Sequence, residues 1–546
     1  MSDPLLSSIA SRRPPEALVE FKLHDINPYD LPGIQSAVEI LLSAKEQQST
    51  VICVVDYDTD GICSGAVLRE GLTSLGLNVG IMVTDRYEDG YGFSAGACDK
   101  LLELKDVPGV IVTADLGSSD GVEIERYQSE MAKNGKKIPF IVTDHHHISK
   151  LTPPATADAF INPGRTDVFH VFNHPICGAA VAWMLVYALS QKTPSHFDPY
   201  QLLDLVAVAT VGDMVSLSNT LNRALVKEGL FQLNQMNRYA WRVLAESKNK
   251  SEFKEDDIAF QIAPRINALS RMGDDGQTAL TWLSSDMKDA SEAAFINMEI
   301  NNDERKDEQA KCQKLALSQA KSQMDSGVFV CVCFVPEFTH GVVGLAASHV
   351  VKETGLPAIV ISLKSNGMLT GSARSIPGFD LRLAIEKAQD HTGLLTKYGG
   401  HAMAAGLSMN SADDIEAFHS ALNTIASEML NHERPEPTFF HDGELTQEMQ
   451  SVESISNLQS IGPFGQDYPY PAFLVKGLVT GVKLLGKEFQ HAKLTLSSGE
   501  TLMWFNHDGL ADKATIKIME FIVSPTVNSW NGRQSVQYIV QAARMS

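Results

Sequence analysis

Three short apolar runs in the N-terminal half of this chain each lead into an acidic residue. Residues 51–55, 110–112 and 140–142 are rich in β-branched side chains, and they precede Asp56, Asp115 and Asp144. Runs of this length and composition are typical of strands buried in a parallel sheet. Because functional groups collect beyond the carboxyl ends of such strands, the pattern predicts an α/β fold with a polar site along one edge of the sheet.

The residue types in these segments are those that bind a hard divalent cation. Asp56, Asp58 and Asp60 alternate, Asp144 is followed by His145 and His146, and a fourth segment ends in Asp213. Carboxylates this close repel one another unless a cation is bound or their pKa values are raised. Carboxylates with imidazole suit Mn²⁺, and Mg²⁺ is possible where imidazole contributes little. One such aspartate is often only a helix cap, but four segments together favour phosphate-ester cleavage by two metal ions.

A calcium-binding loop is the competing interpretation of residues 56–61. That loop needs a flanking helix and a glutamate at its twelfth position, where this chain has Val67. The strand-end metal site is therefore the favoured interpretation.

Composition limits the classes of protein to which the chain can belong. The net charge of −21 argues against a protein held to nucleic acid by its whole surface, although a local basic groove is compatible with it. Seven cysteines without a CxxC pair indicate reduced thiols and a cytoplasmic location. The longest apolar stretch, residues 178–189, is too short to span a bilayer, so no membrane association is expected.

A chain of 546 residues is long enough for several domains. Residues 1–30 are polar and are expected to form a loosely packed N-terminal arm. Strand and helix signals alternate over residues 31–275 and again over 327–434, which predicts two α/β units. Within the first unit, residues 263–267 are expected to form a loop. Residues 276–326 between them are expected to be a connecting helix, since residues 284–324 contain no Gly or Pro. Residues 435–546 change to short strands, which predicts a small OB-like β-barrel.

At this level of detail the chain resembles the DHH phosphoesterase family, and within it the RecJ-type exonucleases specific for single strands. The resemblance rests on Asp144-His145-His146, on residues 56–61 and on Asp89-Gly90-Tyr91-Gly92. It extends through Asn162-Pro163 and residues 178–182, 205–213, 263–268, 371–375, 399–406, 463–465 and 530–532. It implies a DHH catalytic domain over residues 31–275, a connecting helix, a DHHA1 domain over 327–434 and an OB-fold over 435–546. Ser270, Thr339 and His349 depart from the family pattern, but none of them removes a ligand that the resemblance implies.

The resemblance also implies roles for the residues at the strand ends. Two divalent cations would be held by a set of six ligands: Asp56, Asp58, Asp60, Asp115, His145 and Asp213. Asp115 would bridge the two ions. Asp144 would orient a histidine, and His146 would face the scissile phosphate.

A phosphate-binding cradle is expected in the DHHA1 domain. Gly371, Gly399 and Gly400 permit close backbone approach, and Ser372, Arg374 and His401 add donors to phosphate oxygens. For each glycine taken singly, a plain turn is the alternative. Three arginines, Arg86, Arg265 and Arg271, are further candidates for contacts to the strand, although Arg265 could equally be a buried ion-pair partner.

The OB-like module contains aromatic and basic residues that could bind a single strand by stacking and charge. They are Phe489, Trp504, Trp530 and Tyr538, with Lys476, Lys483, Lys487, Lys493 and Arg533. A place in the barrel core is the alternative for each aromatic residue.

The function implied by the resemblance is a 5′→3′ exonuclease that releases mononucleotides from single-stranded DNA in repair or recombination. A helicase and a single-strand-binding protein are candidate partners. The alternative is a phosphodiesterase of short oligonucleotides or cyclic dinucleotides, but relatives of that kind lack the C-terminal barrel. A non-catalytic binding scaffold is a third possibility, against which the complete set of ligand residues argues.

Overall fold

The computed structural model describes residues 3–14, 18–364, 367–435, 438–486, 489–507, 517–530 and 533–545. It confirms the predicted fold class, a multidomain α/β protein with a C-terminal barrel. Among the described helices, none is both long enough and apolar enough to cross a membrane.

The first α/β unit contains an all-parallel sheet with strand order β2-β1-β3-β4-β5. Its central strands are buried on both faces, as their continuous apolar runs predict. The strand that follows β1 in the chain, β2, lies on one side of β1, whereas β3 and all later strands of this sheet lie on the other side. The strand order therefore reverses between β1 and β3, and this position is a topological switch point. The strands are β1 (Thr50–Val55), β2 (Asn78–Val83), β3 (Val110–Ala114), β4 (Phe140–Thr143) and β5 (Ala159–Ile161).

Helices cover both faces of this sheet, and further helices pack beside it to form a helical subdomain. The largest apolar cluster of the chain joins the sheet to these helices, with Trp183, Trp241 and Trp282 fully buried. In chain order, the described α-helices that precede the connecting helix are α1 (Pro4–Arg12), which packs on the C-terminal module, and α2 (Ile34–Glu46), α3 (Thr59–Ser74), α4 (Ala95–Leu102), α5 (Gly121–Lys133), α6 (Gly178–Ser190), α7 (Leu203–Gly212), α8 (Thr220–Asn234), α9 (Tyr239–Lys248), α10 (Glu255–Asp257), α11 (Ala263–Met272) and α12 (Gln277–Ser284).

Two local expectations were wrong in this region. Residues 263–267, expected to be a loop, begin α11, because Pro264 occupies the first turn, where a missing N–H costs nothing. The connecting helix α13 (Lys288–Asp325) starts later than residue 276, since α12 is a separate helix whose apolar face belongs to the core of the first unit.

The second α/β unit follows α13 and has strand order β6-β7-β8-β10-β9 among its described residues. Only β6 and β7 pair in parallel, and the remaining pairs are antiparallel. Its elements are β6 (Cys331–Phe334), α14 (His340–Thr354), β7 (Ala358–Leu363), β8 (Leu369–Arg374), α15 (Leu381–Thr392), β9 (Leu395–Gly400), β10 (Ala404–Met409) and α16 (Ile415–Met429).

The C-terminal module is a closed barrel, as expected. The described part of the chain closes it in the order β11-β12-β13-β15-β14 around a core that includes Trp504, Phe521 and Tyr538. Its elements are α17 (Val452–Asn457), β11 (Phe473–Leu485), β12 (His491–Leu496), β13 (Thr501–Trp504), β14 (Ile518–Trp530) and β15 (Arg533–Met545).

The N-terminal arm is not loosely packed, contrary to expectation. Leu5 and Ile9 of α1 are buried in an apolar cluster with Met449, Ile455, Leu458 and Phe473 of the C-terminal module. Leu23 and Ile26 of the arm, and Leu31 directly after it, enter the core of the first unit. The described residues of the arm therefore contact both the first and the last module of the chain.

Candidate metal centre

The predicted acidic residues converge at the switch point of the parallel sheet. Asp56 follows β1 and Asp115 follows β3, and these two strands are paired in register up to Val55 and Ala114. Asp144 follows β4, the next strand, and Asp213 ends α7 as its C-terminal cap residue. One edge of the sheet thus collects side chains from four separate segments.

The Asp56–Asp60 triplet fans out because a helix begins inside it. The Oδ1 of Asp58 caps α3, accepting hydrogen bonds from the N–H groups of Asp60 and Gly61 at 2.9 and 3.1 Å. Gly61 is required at this turn, since a Cβ there would lie 2.3 Å from the carbonyl oxygen of Asp56. Asp58 is therefore both a helix cap and a member of the acidic group.

Asp60 is held by the start of another helix. Its two carboxylate oxygens accept hydrogen bonds from the N–H groups of Gly178 and Ala179, at 2.6 and 2.7 Å, in the first turn of α6. The free N–H groups of a helix N-terminus are suited to an anion. Burial nevertheless raises the pKa of Asp60, while nearby His145 lowers it.

Asp115 occupies the most constrained position of the site. Its φ angle is 62°, an uncommon left-handed conformation for a non-glycine residue that is found at functional sites. Its carboxylate is buried, and Oδ1 has no hydrogen-bond partner among the described residues. Only glycine fits at position 178, because a Cβ there would lie 2.8 Å from the Cβ of Asp115.

Asp144 organises the two histidines that follow it. Its Oδ1 accepts hydrogen bonds from the N–H groups of His145 and His146 and from the Nδ1 of His146, which lies 2.8 Å away. Burial alone would raise the pKa of Asp144, but the hydrogen bond from His146 holds it below the ordinary value. Burial alone would lower the pKa of His146, but Asp144 raises it to about 9.

Seven side chains form three overlapping groups that could hold metal ions. The groups are Asp56-Asp58-Asp115, Asp115-His145-His146 and Asp60-His145-Asp213, with donor atoms within 4.8 Å of one another in each. Asp115 and His145 each belong to two groups. All six residues that the family resemblance implies as ligands belong to these groups, and His146 is a seventh member.

The electrostatics of these groups fit a divalent cation. The pKa of Asp56 is raised to about 8 by burial and then by the charge of Asp58. The pKa of Asp213 is raised to about 8 by burial and then by Asp60. The Nε2 of His145 lies 3.1 Å from the Oδ1 of Asp115, and both buried atoms lack a hydrogen-bond partner among the described residues. Clustered carboxylates and imidazole with unused lone pairs match the donor set of Mn²⁺ or Mg²⁺.

Two of the predicted arginines lie beside this acidic group, towards the second α/β unit. The guanidinium of Arg86 lies 4.4 Å from the centre of the Tyr57 ring, and its buried Nε has no hydrogen-bond partner among the described residues. Arg271 donates to the carbonyl oxygen of Gly341 at 2.9 Å, across the boundary between the units. Burial, together with Arg86, lowers the pKa of Arg271 to about 10.

The expected cradle segments are brought together by strand β10. Gly406 on β10 lies opposite Ser372 on β8 and Gly399 on β9, and Ala404 lies opposite Arg374. No described atom would lie within 4 Å of a Cβ at Gly399, so its backbone faces open space. His401 is exposed at the turn between β9 and β10, next to Gly400. Gly371 differs, because a Cβ there would press on Ile361 and Leu407, which indicates a packing role.

Arg265 does not join the residues that could contact a strand, although the sequence made it a candidate for that role. Its guanidinium is buried and forms an ion pair with Glu299 of α13 and a hydrogen bond to the carbonyl oxygen of Gln261. The structural alternative is the one that the geometry supports.

The proposed stacking groove of the barrel is only partly present. Trp504 and Tyr538 are buried in the barrel core, which matches the alternative interpretation, whereas Phe489 is exposed. Lys476 forms an ion pair with Glu520 at 3.3 Å. Lys487 and the side chain of Trp530 lie outside the described residues.

Comparisons with known proteins agree with this arrangement. Residues 50–210 match the DHH family N-terminal domain, residues 327–428 the DHHA1 domain and residues 441–542 the RecJ OB domain. Single-stranded-DNA-specific exonuclease RecJ of Haemophilus influenzae is 30% identical, over 94% of this chain and 91% of its own length. The protein of the same name from Dickeya dadantii is 31% identical, over 94% of this chain and 90% of its own length.

The chain belongs to the RecJ family. Among solved structures, RecJ of Thermus thermophilus in complex with Mn²⁺ matches all of this chain and 78% of its own length, with a TM-score of 0.79 and 26% identity. Its complex with Mg²⁺ matches with a TM-score of 0.76 and 25% identity, over 99% of this chain and 74% of that one. These two solved structures contain Mn²⁺ and Mg²⁺, and the three groups described above could hold an ion of that kind.

Several residues that support the site were not assigned a role from sequence. Thr84 donates to the Oδ1 of Asp56 at 3.2 Å, and the N–H of Ser118 donates to the Oδ2 of Asp144 at 2.8 Å. Asn162 donates to the Ser118 hydroxyl and to the carbonyl oxygen of His146. Tyr91 packs edge-on against the His146 ring. Asn162 and Tyr91 belong to segments that carry the RecJ resemblance, which was the one available signal.

Proposed function

We propose that this protein is a metal-dependent exonuclease that degrades single-stranded DNA in the 5′→3′ direction and releases mononucleotides. The observation that carries the proposal is the set of buried, mutually repelling carboxylates at the switch point, with unpartnered atoms on Asp115 and His145. Support also comes from the relatives, which are named single-stranded-DNA-specific exonucleases, and from the barrel, which matches the RecJ OB domain.

Two divalent cations, Mn²⁺ in preference to Mg²⁺, are proposed to occupy the site. Asp56, Asp58, Asp60, Asp115, His145 and Asp213 would hold them, with Asp115 shared between the two. When bound, such ions activate water at neutral pH and neutralise charge on the attacking and leaving oxygens. The preference for Mn²⁺ rests on the imidazole of His145 in the donor set.

His146 is proposed to bind the scissile phosphate. The carboxylate of Asp144 can only accept, so the Nδ1 of His146 carries a proton at their 2.8 Å contact. The Nε2 of His146 takes no part in that contact, and in its protonated form it can donate to a phosphate oxygen, while Asp144 and Tyr91 hold the ring in place.

The second α/β unit is proposed to bind the strand. The backbone at Gly399 and Gly400 is available to a phosphate, and Ser372, Arg374 and His401 add hydrogen-bond donors. These residues lie on, or directly after, strands β8 and β9, which both pair with β10. Arg86 and Arg271 would contact the strand from the other side of the boundary. Arg265 is left out of this set, because it is paired with Glu299.

A reducing cytoplasm and partners that produce single strands are also proposed. All seven cysteines are buried free thiols, a usage typical of that compartment. A substrate without a complementary strand has to be supplied by strand separation, which is the reason for expecting a helicase and a single-strand-binding protein in repair or recombination.

The proposal is tested by digesting one long single-stranded DNA with Mn²⁺, labelled in turn at its 5′ and 3′ ends. Immediate release of a 5′-labelled mononucleotide, with gradual shortening of the 3′-labelled strand, is the expected result. The Asp115→Asn variant is the control for a contaminating nuclease. Cleavage of dinucleotides with no degradation of the long strand would instead favour the small-substrate alternative.

A further inference from the structure

The N-terminal segment and a loop of the C-terminal module meet the first α/β unit at one aromatic ring. The ring belongs to Tyr468, which is 2% exposed and is part of the core cluster of the first unit. The guanidinium carbon of Arg13 lies 4.8 Å from its centre, and that of Arg223 on α8 lies 4.4 Å away. Three parts of the chain that are distant in sequence therefore share one contact.

Arg13 is tied to the C-terminal module by a buried bidentate ion pair. Its Nε and Nη2 donate to the Oδ1 and Oδ2 of Asp442 at 2.8 and 3.0 Å, and Nη2 also donates to the carbonyl oxygen of Pro469 at 2.9 Å. The two side chains are only 5% and 1% exposed. Bidentate pairs of this kind fix geometry as well as contributing energy.

The same loop touches the first unit through its backbone. The N–H of Leu217 donates to the carbonyl oxygen of Gln466 at 2.8 Å, and the N–H of Phe464 donates to Glu255 at 3.1 Å. A Cβ at Gly465 would lie 2.9 Å from the tip of the Leu217 side chain, so this loop lies close against Leu217. Residues 464–468 are therefore docked against the first unit by hydrogen bonds that exist only while the two modules are in contact.

We propose that Arg13 is a positioning residue which holds the C-terminal barrel against the DHH domain through Asp442 and Tyr468. This inference rests on the proposed function, because it concerns how the barrel and the metal centre bind the same strand. Two binding elements that are held at a fixed separation bind a strand more tightly than two that move independently. Loss of the Arg13 contacts weakens the docking of the barrel without altering any group at the metal centre.

The chain offers a closely matched control. Arg12 is the neighbouring arginine and is exposed, whereas Arg13 is buried. Arg13→Ala and Arg12→Ala therefore remove the same charge from adjacent positions of the arm. Arg13→Lys is the milder variant, since lysine keeps the charge but cannot form the bidentate pair.

Amide hydrogen exchange measures the docking directly. Exchange at Leu217 and Phe464 is expected to be faster in Arg13→Ala, and less so in Arg13→Lys, while Arg12→Ala matches the wild type. Amides of the central strand β3 are expected to stay protected in all four proteins, which shows that the DHH domain remains folded. Unchanged exchange at Leu217 and Phe464 in Arg13→Ala would overturn the proposal.

Steady-state kinetics measure the consequence for the strand. Arg13→Ala is expected to raise KM for a long single strand by about tenfold, because a less firmly docked barrel adds less to binding. Its kcat on an oligonucleotide short enough to lie within the cleft is expected to stay within about twofold of the wild-type value. An equal fall of kcat on both substrates, or KM values equal to those of Arg12→Ala, would overturn the proposal. Should the wild type degrade no single strand, the proposed function fails, and hydrogen exchange alone still decides the role of Arg13.

Discussion

Two buried acidic clusters of the DHH domain differ in how their charge is compensated. Asp204 on α7 accepts hydrogen bonds from Arg238 and from the Nε1 of Trp241, the latter at 2.8 Å, and Arg238 also pairs with Glu70. Asp115 is as deeply buried, yet its neighbours are other carboxylates and a histidine, and its Oδ1 has no hydrogen-bond partner among the described residues.

The difference separates structural burial from functional burial. A buried carboxylate is tolerated when it is paired and hydrogen-bonded, and Asp204 satisfies that rule within the protein. Asp115 does not, and its pKa is raised by burial and by Asp60, Asp58 and Asp56. Its compensation has to come from outside the chain, as a divalent cation would supply it. Four predictions test this contrast, in order of decreasing expected effect.

Replacing Asp115 should abolish activity without unfolding the protein. Asp115→Asn is expected to lower kcat on single-stranded DNA by about 10³-fold, because a charge that serves the transition state through the bound ions is lost. Mn²⁺ binding, measured by titration calorimetry, is expected to weaken in parallel. Full activity of a homogeneous Asp115→Asn preparation would contradict the metal assignment.

Replacing Asp204 should have the opposite pattern. Asp204→Asn leaves the buried guanidinium of Arg238 without its main partner, and the expected loss of unfolding free energy is about 3 kcal/mol. Mn²⁺ affinity and kcat should stay at the wild-type level below the unfolding transition. The measurement is urea denaturation beside the same calorimetric titration. A loss of metal binding without a loss of stability would reverse the comparison.

Thr84 should tune the metal centre from outside the ligand set. Its hydroxyl donates to the Oδ1 of Asp56 at 3.2 Å, so Thr84→Val removes a hydrogen bond that orients a ligand. Losses of this kind weaken metal affinity by about tenfold or more. Thr113 is the matched control, because its buried hydroxyl has no hydrogen-bond partner among the described residues. Equal Mn²⁺ affinities for Thr84→Val and Thr113→Val would remove Thr84 from the site.

The smallest effect is the pH dependence of stability in the metal-free protein. Folding raises the pKa of Asp56 from 3.8 to about 8, so the folded form is favoured at low pH and loses this advantage as pH rises across that interval. With a chelator, the melting temperature should therefore fall by a few degrees between about pH 5 and pH 8. Mn²⁺ should reduce this trend, and Asp115→Asn without metal should show less of it. A melting temperature that rises with pH in the metal-free protein would contradict the stated pKa shift.

The sequence alone determined the residue types at the site and the strands that deliver them. Asp56, Asp115 and Asp144 could be placed at strand ends because short β-branched runs specify strands locally, and parallel strands end at a common edge. The short strands of the barrel were predicted from similar local signals. The family resemblance was the reason for expecting residues 371–375 and 399–406 to form one phosphate-binding cradle. That family and the fold class are confirmed by the comparisons.

Only the tertiary structure decided which of these side chains are already satisfied. Arg265 and Arg271 lie on the same helix, yet one is paired with Glu299 and the other faces the boundary between the units. Asp58 proved to cap α3, and Asp60 proved to be held by the N-terminus of α6. The arm at residues 3–14, polar and proline-bearing in sequence, forms a buried contact with residues more than 400 positions away. Burial and pairing depend on partners distant in the chain, so no local pattern of residues could have revealed them.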